Sequence, residues 1–321
     1  MGSYAARRAL LSIPVLLVAS FVLFAFVRST FDPTVELHLS RDKTAAARIR
    51  HEQGLDRPLV TQYRSWLSGF VQGDWGESQR THERVFPMVR RALWNTTQLA
   101  FWGVLFAGAI AVAVGVYSAV RQYSIGDYAL TGLSFVGLAM PPFWFGLLAI
   151  QVFVFWPIGW FNLDDPLVYF VGLHSVKHGG VGDYARHLVL PVLTLTVQIV
   201  ASWSRYQRSS MLDALHADYV RTARAKGLAR RRIIVRHALR NALIPLVTVV
   251  ALDVGAVFGG LVVTETIFSI SGMGRLLIDS IRAGDAPVLL AWVVLTSTII
   301  IAFNLLADVL YAVLDPRIRH A

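Results

Sequence analysis

The chain has 321 residues, 55% of them hydrophobic and only 16% charged, with a mean hydropathy of +0.54. An ordinary soluble domain carries about 25% charged residues, so the composition argues against that class. Cysteine is absent, which excludes disulfide frameworks, thiolate nucleophiles and cysteine-ligated metal sites. The 30 Lys+Arg against 20 Asp+Glu leave a net charge of +10, whose meaning depends on where it falls.

An apolar helix needs about 20 residues to cross roughly 30 Å of hydrocarbon. Six uncharged stretches meet or approach that length: 9–27, 92–120, 128–163, 187–204, 241–264 with one charge at Asp253, and 286–307, with a continuation expected past Asp308 toward Leu314. The first follows Arg7 and Arg8 but is too long for a signal-peptide core and lacks a nearby small-x-small site, so it is read as an uncleaved helix. Pro141-Pro142 predicts a kink in the third. Trp94, Trp102, Trp156, Trp160, Trp203 and Trp292 lie near segment ends, as interfacial anchors do.

Lys and Arg in short loops set orientation. With the N-terminus inside, the cytoplasmic segments hold 15 of them, against four in the two shorter external loops and eleven in the long external segment between Arg28 and Arg91. Both termini are therefore expected in the cytoplasm. The chain divides into an N-terminal helix (1–28), an extracytoplasmic segment (29–91) read as short helices over the outer face or as a partly flexible loop, and a five-helix core (92–321).

Within that core, the cytoplasmic loop 207–240 carries nine Lys/Arg against Asp213 and Asp218. From Asp218 it reads DYVRTARAKG. Asp218 suits an N-cap, Arg224 and Lys226 suit the negative end of the helix dipole, and Gly227 suits a C′ position with positive φ. A second helical pattern follows from Arg230, with Ile233, Ile234, His237, Ala238 and Asn241 on one face before Pro245. Two readings stand on composition: a basic surface attracted to anionic headgroups, and a docking knob for a protein partner. Nucleic acid fits poorly, because the loop is tethered between two spans and has only Tyr219 to stack on a base.

The run 218–245, DYVRTARAKGLARRRIIVRHALRNALIP, resembles the conserved cytoplasmic loop of permease subunits of bacterial dipeptide and oligopeptide ABC importers. The resemblance extends to GLDRPLVTQY (54–63), GDWGES (73–78), Pro141-Pro142-Phe143-Trp144, VVTETIFSISGMGRLL (262–277) and DVLYAVLDPRIR (308–319), in the same order. It implies an all-α membrane protein with six transmembrane helices in the type I ABC importer permease fold, located in the bacterial inner membrane. It also implies a homologous second permease, two ATPase subunits that carry ATP and Mg, an extracytoplasmic binding protein, a peptide cargo, and no cofactor on this chain. Some relatives handle nickel or other small solutes, which is the alternative cargo.

By the same resemblance, Asp218, Tyr219, Arg221, Thr222, Ala223, Arg224, Lys226 and Gly227 form the coupling helix that sits in the ATPase groove. The wider importer pattern has Glu-Ala-Ala where this chain has Arg221-Thr222-Ala223, so a cationic anchor and an acidic partner site are expected.

Asp253 has twelve uncharged residues before it and eleven after it, near mid-bilayer for one straight helix. It is a candidate lining residue of the translocation path, or else a buried Asp bonded to a neighbouring helix. Gly259 and Gly260, with Gly255, suit close helix packing or a thin gate. Glu265 is a candidate on the exit side, with a satisfied structural carboxylate as the alternative. No G-x-x-x-x-G-K-[ST], H-E-x-x-H or G-x-S-x-G is present, so the chain is not expected to catalyse. A self-sufficient secondary transporter or channel would show several paired intramembrane charges or an inverted repeat, so the ATPase-coupled reading fits better.

Overall fold

A computed structural model describes residues 2–30, 54, 56–175 and 179–314, and these form helices joined by turns and loops, with no strand among them. In chain order they are α1 (Gly2–Thr30), α2 (Leu59–Val71), α3 (Val85–Val120), α4 (Ile125–Ala139), α5 (Pro142–Phe161), α6 (Val181–His216), α7 (Asp218–Ala225), α8 (residues 230–260), α9 (Val262–Ile267), α10 (Met273–Ala283) and α11 (Ala286–Leu314). Six of these are long and apolar enough to cross a bilayer: α1, α3, α5, α6, α8 and α11. α6 is the hub, packed against α3, α4, α5 and α8, while α11 packs against α8 and α1.

The third apolar stretch is two helices rather than one kinked helix. Met140 and Pro141 are extended (ψ 120° and 137°), and α5 starts at Pro142. A residue before proline is pushed out of the α region, and two consecutive prolines end α4 outright. α5 contains a π-turn at Gln151–Phe155. α6 runs well beyond its uncharged stretch at both ends, because charge gaps mark hydrocarbon and not helix termini.

Two tryptophans are not interfacial anchors. Trp203 is 1% exposed, and Trp292 is 9% exposed with its indole N–H donated to the Met273 carbonyl at 2.7 Å. In the segment expected outside, residues 31–53 lie outside the described residues, but α2 is a helix. Its Tyr63 packs with Phe24 and Val27 of α1 and Leu289 of α11, and shares a 2.6 Å hydrogen bond with Ser20.

Close approach of α3 and α6 depends on Gly115. A Cβ there would lie 2.7 Å from the Gln207 side chain and 2.9 Å from the Ser204 carbonyl oxygen. At the same end of the bundle, Asp127 of α4 is 2% exposed and accepts Arg208 Nε at 3.0 Å and Nη2 at 2.8 Å. Its carboxyl also accepts the Tyr123 amide, and its own amide is capped by Ser124. The Arg208 guanidinium holds this carboxyl below the usual carboxylate range. The pair joins α4 to the part of α6 that leads into the basic loop.

Candidate functional site

The basic loop begins where α6 ends. α7 is a two-turn amphipathic helix that buries Val220 (0% exposed) and Ala223 (6%) against Met211 and Ala214 of α6 and Ile233 and Ala238 of α8. These two positions, three apart, form one stripe on the helix. Asp218, Tyr219, Arg221, Thr222, Arg224 and Lys226 face outward. Ala223 therefore anchors α7 to its own chain and presents no surface to a partner.

The helix termini also differ in part from the sequence reading. The N-cap is Ala217 (ψ 149°), and Asp218 sits in the first turn without capping, its carboxylate 3.6 Å from Arg221 on the surface. The other end stops at Gly227, with φ +72°. The Gly227 amide bonds the Arg224 carbonyl at 2.9 Å, and the Leu228 amide bonds the Ala223 carbonyl at 3.3 Å. This pair of bonds satisfies carbonyls that the helix end would otherwise leave orphaned, and it requires the left-handed residue that glycine supplies.

No separate second helix follows. Arg230–Arg232 runs through a π-turn at Ile233–Ala238 into Leu239–Gly260, so the downstream half of the knob is the start of the fifth span. α8 absorbs Pro245 on an exposed face. A displacement of α7 thus bears directly on the helix that carries Asp253.

Asp253 is exposed on the surface of the chain, and one of its oxygens is held: the buried indole of Trp203 donates Nε1–H to Oδ2 at 2.7 Å. Along α6 beyond Trp203, Tyr206 and Ser209 are exposed, and along α8 so are Asn241 and Leu252. The opposite side of α8 is closed. A Cβ on Gly255 would meet Phe303 Cβ at 3.0 Å, and Phe258 stacks on Phe303, so Gly255 sets the approach of α8 to α11. Gly259 and Gly260 are the last residues of α8.

Glu265 does not line a path within this chain. It is 0% exposed, and its carboxylate accepts Thr96 Oγ1 at 2.6 Å and the Arg275 amide at 2.9 Å, with the Gly274 amide also bonded to it. The Thr96 hydroxyl in turn receives the Met273 amide at 2.8 Å. Met273, Gly274 and Arg275 are the first three residues of α10, whose amides have no intrahelical partner. Glu265 is therefore the cap of α10 supplied from α9, where a negative charge also suits the helix dipole. The glycines make this possible: a Cβ on Gly272 would lie 2.3 Å from Glu265 Oε1, and one on Gly274 would lie 2.5 Å from the Val262 amide nitrogen.

Sequence reasoning missed Trp203, Thr96 and the Asp127–Arg208 pair. A lone Asp directly before an apolar run was a signal for the last of these. Nothing local marked Trp203 or Thr96, whose partners lie 50 and 169 residues away.

Residues 111–320 match the family described as binding-protein-dependent transport system inner membrane component. The oligopeptide transport system permease protein AppB of Bacillus subtilis is 38% identical over 324 residues, covering all of both chains. The di/tripeptide transport system permease protein DppB of Pseudomonas aeruginosa is 39% identical over 335 residues, covering 100% of this chain and 99% of its own. The dipeptide transport system permease protein DppB of Escherichia coli K12 is 39% identical over 337 residues at the same coverage. A crystal structure of an amino acid ABC transporter with histidines aligns with TM-score 0.46 at 13% identity, over 72% of this chain and 94% of that one. With the family matched over most of the core and relatives matched end to end, the chain belongs to the inner-membrane components of binding-protein-dependent transport systems.

Proposed function

We propose that the chain is one of two homologous permease subunits of an ATP-driven importer of di- and oligopeptides, with α7 as the element that docks on an ATPase subunit. The observation that carries this reading is the construction of α7. Two apolar residues fasten it to α6 and α8, while a polar, largely cationic face is left outward at the end of the bundle that bears the basic loop. The cargo class follows the relatives named above. That end of the bundle and both termini lie in the cytoplasm, in keeping with the distribution of Lys and Arg. ATP and Mg belong to the ATPase subunits, and a binding protein delivers peptide at the opposite end.

In this mechanism, closure of the ATPases moves α7. Because Val220 and Ala223 pack on Ile233 and Ala238, the start of α8 moves with it, and α8 carries Asp253 against α6. The helices then alternate between inward and outward openings as packed units. The Asp127–Arg208 pair carries the same displacement into α4.

The test is ATP-dependent peptide uptake with Ala223→Glu, alongside co-purification of the ATPase subunits with the tagged chain. A carboxylate forced into the Met211–Ile233 contact is expected to abolish uptake while membrane insertion persists. Wild-type uptake by this variant, or recovery of the intact chain without any ATPase, refutes the assignment.

A further inference from the structure

Asp253 sits within the fifth span and is exposed on the surface of its own chain beside α6. A charged side chain directed at hydrocarbon costs about 2.5–3.5 kcal/mol at mid-bilayer, and one hydrogen bond from a neutral indole does not balance a carboxylate. Among the described residues, no ion pair to Asp253 is present. Arg205, two residues past Trp203 on α6, lies over the Phe135 ring, 5.1 Å from its centroid. Among the described residues no cation balances Asp253, which leaves its second oxygen open to a positive group brought to it.

The Trp203 bond supports a binding role. It fixes Oδ2 at 2.7 Å and, because Trp203 is 1% exposed, holds the carboxylate in one orientation with Oδ1 left for a second donor. A carboxylate oriented by a rigid neighbour is preorganised for a charge-assisted hydrogen bond. Tyr206 lies one turn further along α6 and is exposed, and Leu252, next to Asp253 on α8, is exposed as well, giving polar and apolar surface near the carboxylate.

We propose that Asp253 is the site on the translocation path that receives the terminal ammonium of a passing peptide, with Trp203 as the residue that positions it. This deepens the reading above and rests on it. The alternative source of positive charge, a basic residue of the second permease, is an outcome of the test.

The intact complex with its binding protein is reconstituted in liposomes, and ATP-driven uptake is measured for trialanine and for propionyl-dialanine, which lacks only the ammonium. The same binding protein serves wild type and variant, so its own preference cancels when each probe's rate is compared between them. Asp253→Asn keeps the acceptor for Trp203 and removes the charge. The expected result is a fall of about tenfold in the trialanine rate relative to the propionyl-dialanine rate, the size of one charge-assisted hydrogen bond, with Asp253→Glu restoring most of it. An unchanged ratio overturns the proposal. So does loss of the second permease from the purified Asp253→Asn complex, which assigns the carboxylate to an ion pair between subunits. If ATP drives uptake of neither probe by the wild-type complex, the transport reading has failed and this proposal with it.

Discussion

Replacing Asp127 by alanine is expected to destabilise the protein by about 2–3 kcal/mol. The carboxylate is 2% exposed and receives two bonds from Arg208, at 3.0 and 2.8 Å, and one from the Tyr123 amide at 3.0 Å. Breaking a buried ion pair from one side costs about 3–5 kcal/mol, much of it from the charge left behind. The Arg208 side chain keeps 28% exposure, so water rehydrates part of the stranded guanidinium and the expected figure is lower. At roughly 2 °C per kcal/mol for a chain of this size, the unfolding midpoint falls by about 4–6 °C. The assay is thermal unfolding in mild detergent of wild type, Asp127→Ala, Arg208→Ala and the double variant. Because the second substitution removes the stranded charge, the double variant should lose about 1.5–3 kcal/mol less than the sum of the singles. Additive losses would refute the pair as a coupled, buried contact. The pH dependence has a definite sign as well. A carboxylate held below its ordinary range contributes stability above that range and loses it as pH falls below about 4. The gap between wild type and Asp127→Ala should therefore be flat from about pH 5 to 8 and close in acid.

Three further outcomes follow from the geometry. Gly227→Ala meets no atom within 4 Å but must adopt φ +72°, so backbone strain alone should cost about 1–2 kcal/mol and reduce uptake, without releasing α7 from Val220 and its neighbours. Glu265→Ala strands the amides of Gly274 and Arg275 and the Thr96 hydroxyl, and should cost about 2–4 kcal/mol in the same unfolding assay. Glu265→Gln, which keeps an acceptor, should lose less. Gly115→Ala places a methyl 2.7 Å from Gln207 and 2.9 Å from the Ser204 carbonyl, and should destabilise by about 1–3 kcal/mol through forced separation of α3 and α6; an unchanged midpoint would mean that the two helices are not tightly packed there.

Much of the architecture was legible from charge gaps, because hydrocarbon excludes charge over a fixed thickness and so spaces the apolar runs. The helix at 218–225 was legible too, since dipole complementarity and the glycine stop act within a few residues. Local signals failed where two local choices compete. Local preference puts Asp218 ahead of Ala217 as the cap of α7, but the packing of Val220 and Ala223 goes with the register that has Asp218 inside the first turn.

By itself the sequence determined that this is a membrane protein with six apolar spans, one strongly basic loop and a single charge interrupting the fifth span. The tertiary structure alone decided what the individual polar residues do. Glu265 caps α10, and Trp203 leaves the interfacial role that its position near a segment end suggested and orients Asp253 instead. The physical reason is common to both: in a low-dielectric interior a polar group is worth what its partner makes it, and these partners are brought together by helix packing across long stretches of chain.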